Sequence, residues 1–184
     1  LKAGYVKSDD EYREITQFFF RELPKVEYDQ LGFRERLWYS KAHVWYSMIT
    51  QDFLGLFKHA SRWVYLFEQY PEMLSSHPIF YLKANNYLME SLLLLRHPEK
   101  FKSTLEQMRQ TIDSEGFPVN TNTQALAFLY RVNNELNLHF LKGTFEEGLS
   151  LISEVKQGIK RFENQIDAHH VMMLYYKMAC MYFG

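Results

Sequence analysis

One cysteine, five prolines and eight glycines in 184 residues are few, and each scarcity excludes something. A lone Cys180 builds neither a disulfide framework nor a multi-cysteine zinc site, which fits a reducing, cytoplasmic compartment. Set in the apolar stretch from Met178 to Phe183, this thiol is expected to be buried and inert. No apolar run approaches the roughly 18 residues that suggest a membrane span. Neither sign of charge prevails: 21 Lys and Arg stand against 22 Asp and Glu, a net charge of −1, so neither nucleic acid nor an anionic membrane is expected as a partner. Absent too are H-E-x-x-H spacing, a Gly-rich phosphate loop, a G-x-S-x-G elbow and a Cys and His nucleophile pattern, so no enzyme, cofactor or metal is expected. His169 and His170 are adjacent and point about 100 degrees apart on a helix. Glu163, Asp167 and His170 share a face that reads as solvated and polar. Lys156, Lys160 and Arg161 read the same way.

What is present is helical and aromatic. Hydrophobic residues make up 47% of the chain and aromatics 17%, enough to expect a folded core. The few prolines and glycines fall between periodic segments rather than inside them. Phe57, Phe101 and Phe145 stand 44 residues apart, and each opens the same amphipathic face at +3, +7 and +10: Ala60, Val64 and Phe67, then Thr104, Met108 and Thr111, then Gly148, Ile152 and Val155. A period in the forties with helical signals alone predicts stacked helix pairs, because one pair cannot bury its apolar face without a neighbour.

The segments read as one helical-repeat domain over 1–184. An unpaired helix occupies 9–23, capped by Ser8, Asp9 and Asp10 and stopped by Pro24. Helix pairs follow at 29–70, 78–115 and 120–163, and a second unpaired helix at 165–184. This makes eight helices in the order B, AB, AB, AB, A, and predicts a piece of a longer array. No strand is expected.

At Leu136 to Leu149, LNLHFLKGTFEEGL, the small and aromatic residues Gly143, Phe145 and Gly148 flank and follow the turn, and here the chain resembles a tetratricopeptide repeat. The copies at Phe57 and Phe101 lack the turn glycine, Met48, Leu92 and Leu136 replace the small residue of the first helix, and the period exceeds the family's usual one. The resemblance implies an all-α, right-handed superhelical solenoid whose first helices line a concave, protein- or peptide-binding groove. Counting back from each Phe, it implies that the groove is formed by Trp45, Tyr46 and Ile49, by Met89, Glu90 and Leu93, and by Asn133, Asn134 and Asn137. Trp and Met supply adaptable buried area, and Asn carboxamides can bond an extended backbone. Trp45, Met89 and Tyr130 stand where carboxylate-gripping relatives carry Lys or Arg, so that clamp is not expected. Two other roles stay open: a peptide-sensing regulatory domain of a larger protein, and a homodimer formed through Tyr12, Phe18 and Phe19 or through Tyr175 to Phe183.

Overall fold

The structure, a computed structural model, describes residues 4–22 and 25–184. It is all-helical, with no strand among the described residues. The helices are α1 (Asp9–Glu22), α2 (Phe33–Ile49), α3 (Phe53–Gln69), α4 (Met73–Ser76), α5 (Pro78–Leu94), α6 (Pro98–Ile112), α7 (Thr121–Lys142), α8 (Phe145–Ser150), α9 (Ile152–Arg161) and α10 (Ala168–Phe183). Pro24, expected to stop the first helix, lies outside the described residues.

Local chemistry explains most boundaries. Asp52 Oδ1 accepts from Gly55 N at 2.9 Å and Asn120 Oδ1 from Thr123 N at 3.0 Å, so each satisfies a donor that a helix start leaves free. Pro78 and Pro98 occupy first-turn positions, where their missing N–H costs nothing. Three expectations need correction. The helix expected from residue 29 begins at Phe33, because Tyr28–Gln30 form a 3₁₀ turn and Glu35 Oε2 reaches back to Gly32 N at 2.7 Å. A short extra helix, α4, fills the gap between Pro71 and Pro78. The second helix of the pair expected over 120–163 breaks into α8 and α9 at Leu151, whose N–H bonds the Gly148 carbonyl three residues back at 3.2 Å.

Three turns share one backbone feature. Gln51 (φ 57°), Arg96 (φ 57°) and Gly143 (φ 67°) are all left-handed, and each is followed by a single cap residue and then a helix start at Phe53, Pro98 or Phe145. The turns therefore recur at 45 and 47 residues, and the evenly spaced phenylalanines fall at different depths in their helices: fifth in α3, fourth in α6, first in α8. Counted from the turns, α2, α5 and α7 line up. Seven residues before each turn stand Val44, Met89 and Leu136, and all three are fully buried. Fourteen before stand Leu37, Leu82 and Leu129, also buried.

Packing follows from these columns. α2 lies on α3, α3 on α5, and α5 on both α6 and α7; α7 and α8 then meet α10. One large core gathers α2, α3, α5 and α6 around Trp63, Phe67 and Phe101, each burial worth about 1.5–3 kcal/mol or more. A second core joins α7, α8, α9 and α10 through Val132, Leu136, Ile152, Val155 and Leu174. Gly148 is small for a packing reason, since a Cβ there would collide with the Met181 side chain of α10. α1 buries no residue fully and is tied down by Phe19 stacked on Tyr46, 4.6 Å between ring centroids, and by the Thr16 hydroxyl 2.9 Å from that of Tyr46.

Candidate functional site

A polar and aromatic strip runs along α2, α5 and α7, exposed at Trp38 and Trp45 and buried at Asn86 and Asn133. Thirteen residues before the three turns stand Trp38, Lys83 and Tyr130; ten before stand Lys41, Asn86 and Asn133; six before stand Trp45, Glu90 and Asn137. On α2 the strip is open: the Trp38 and Trp45 rings are exposed, and Lys41 Nζ sits 4.3 Å from the Trp38 centroid and 5.7 Å from that of Phe80 on α5. Trp38 and Phe80 meet edge to face at 5.8 Å.

Toward α10 the strip becomes a hydrogen-bonded network. Asn86 Nδ2 donates to Glu90 Oε1 at 3.0 Å, and Asn134 Nδ2 donates to Asn86 Oδ1 at 2.8 Å and to the Tyr130 carbonyl at 2.8 Å. Lys177 of α10 reaches across to α7 and donates to Asn133 Oδ1 at 2.5 Å and Asn137 Oδ1 at 2.6 Å. Burial holds the Lys177 ammonium down to about 8, opposed by the Glu90 charge. Burial raises the Glu90 carboxyl, opposed by the Asn86 hydrogen bond and by Lys177. Tyr130 is pushed up to about 12, first by burial and then by Tyr87 and Glu90. A hollow of about 180 Å³ adjoins Lys177, lined by Asn137, Phe140, Tyr176 and Cys180. Cys180, expected to be buried, is partly exposed here.

The residues expected to form the groove separate. Trp45, Asn133 and Asn137 lie on the strip, and Ile49 is partly buried near its end. Met89 and Leu93 do not reach it. Both are buried because α3, α6 and α7 surround α5, leaving no contact for a partner. Asn134 points inward and spends its amide on Asn86 and Tyr130, while its Oδ1 is buried without a hydrogen-bond donor. Counting from the phenylalanines missed Lys41, Lys83, Asn86 and Lys177. Counting from the turns would have found the first three, but Gln51 and Arg96 give no glycine signal for a left-handed residue.

The opposite side holds a broader hollow of about 680 Å³ between α6, α7 and α9. Several of its charges are paired: Glu135 takes both Arg109 and Arg131, and Arg131 also pairs with Glu154. The Glu163, Asp167 and His170 face resolves into a helix cap, with Asp167 Oδ1 accepting from His170 N at 2.9 Å and Asp167 Oδ2 lying 2.8 Å from His170 Nδ1. Among the described residues no group of three His, Cys, Asp or Glu is placed to hold a metal ion, and no helix is long and apolar enough to cross a membrane. Comparison with known families, curated proteins and solved structures gives no match for this chain.

Proposed function

We propose that this chain is a non-enzymatic binding module of tetratricopeptide-like build, whose first helices stack as a solenoid and present a concave strip to a peptide or partner protein. The carrying observation is the alignment of Trp45, Glu90 and Asn137 at one turn-counted position, beside a Lys177 held by two asparagines. Exposed indoles bury well against a partner, and the carboxamides that hold Lys177 are suited to an extended backbone. The test compares proteins captured by the native chain with those captured by a Trp45→Ala, Asn137→Ala variant of matching circular dichroism. Loss of a partner from the variant alone supports the reading; equal retention moves the site off the strip.

Self-association is the second reading, favoured by exposed apolar side chains on both end helices. Tyr12, Phe18 and Phe20 are exposed on α1, and Met172, Tyr175, Tyr176, Tyr182 and Phe183 on α10. Phe19, expected to join this surface, is instead packed on Tyr46. Sedimentation over a range of concentrations decides: a dimer lost on Tyr176→Ser and Phe18→Ser substitution favours pairing through the ends.

A further inference from the structure

The proposed strip carries a charge pattern that names its partner's chemistry. Lys41 lies between Trp38 and Trp45 in sequence on one face of α2 and rests on the Trp38 and Phe80 rings. Lys83, one turn beyond Phe80 on α5, shares the turn-counted position of Trp38. The two lysines feel each other: the Lys41 ammonium is held below its ordinary value first by burial and then by the Lys83 charge. Neither Lys41 nor Lys83 takes part in an ion pair among the described residues.

From this we infer that the strip takes an acidic peptide segment, its carboxylates meeting Lys41 and Lys83 and its apolar side chains covering Trp38 and Trp45. The inference rests on the binding reading above and adds the class of partner. Charge complementarity supplies selectivity and encounter rate, and like charges meeting the lysines would be excluded. A nucleic acid strand fits less well. The chain as a whole is slightly acidic, so no overall field draws a phosphate backbone to it.

The experiment selects binders to the full chain from a displayed library of random peptides, roughly 12 residues long, then measures the enriched peptides by fluorescence anisotropy. The expected result is an excess of Asp and Glu among them and at least about tenfold weaker binding to Lys41→Glu, Lys83→Glu. A Lys41→Gln, Lys83→Gln variant should weaken binding less, and Lys156→Glu, Lys160→Glu on α9 should change it less than about twofold. Neutral or basic winners overturn the inference while leaving the binding reading in place. Equal weakening by the α9 reversals also overturns it, since the attraction would then be bulk charge. So does a 15-nucleotide oligo-dT that binds more tightly than the peptides with the same dependence on Lys41 and Lys83. If no peptide is enriched beyond an unrelated helical protein, both readings fall.

Discussion

Asn134 of α7 donates its amide to Oδ1 of Asn86 on α5 at 2.8 Å, joining two buried carboxamides 48 residues apart. This bond is one of the polar contacts that register α5 against α7, and its removal strands an acceptor away from water. Asn134→Ala should lower unfolding free energy by about 1–3 kcal/mol, and combination with Asn86→Ala should cost less than the sum of the two. Urea unfolding of the double-mutant cycle measures this; strict additivity would mean that the bond contributes no coupling.

Lys177 should titrate near 8 rather than with the other lysines, because burial disfavours its ammonium more than Glu90 restores it. A base whose folded value lies below its ordinary 10.5 penalises folding at neutral pH, and the penalty lifts as pH rises from about 8 to 10.5. Lys177→Met should therefore raise stability most at pH 7, with the gain fading as pH rises from about 8 to 10.5. Side-chain NMR of the lysines reads the titration directly, and a Lys177 midpoint near 10.5 would defeat the prediction.

His43 and His59 stack at 4.4 Å between ring centroids, with His43 Nδ1 donating to the Tyr39 carbonyl at 2.9 Å and His59 Nδ1 buried without a partner. Burial comes first, then the neighbouring His43, Arg62 and Lys58 charges, in holding His59 down to about 4. The unfolded chain binds more protons between about 4 and 6.5, so stability is full above 6.5 and falls as pH drops through this range. Allowing for screening at a partly exposed ring, the loss should be roughly 1–2 kcal/mol, and His59→Leu should abolish most of it. Chemical denaturation at pH 7 and at pH 4.5 compares the two chains.

At the left-handed turns, Gln51→Gly and Arg96→Gly should each leave stability equal or higher by up to about 1 kcal/mol, whereas Gly143→Ala should cost about 1–2 kcal/mol. Thermal unfolding of the three variants checks the pattern. A loss on both glycine substitutions would show that the Gln51 and Arg96 side chains do more than occupy a strained backbone.

The sequence by itself determined that the chain is helical, where most helices start and stop, and that the helices carry apolar faces. Those properties are local: capping side chains, first-turn prolines and the spacing of apolar residues act within a few positions of one another. Only the tertiary structure decided which side of each helix looks outward. Rotation by one residue turns a helix face by about 100 degrees, so a count taken from the phenylalanines rather than from the turns puts Met89 and Leu93 in the groove, where packing buries them, and passes over Lys83. Lys177 is the clearer case, because its partners Asn133 and Asn137 lie on another helix 44 and 40 residues away. Their meeting depends on how α10 seats against α7 and α8, a packing outcome of the core that joins these helices, which no spacing within either segment encodes.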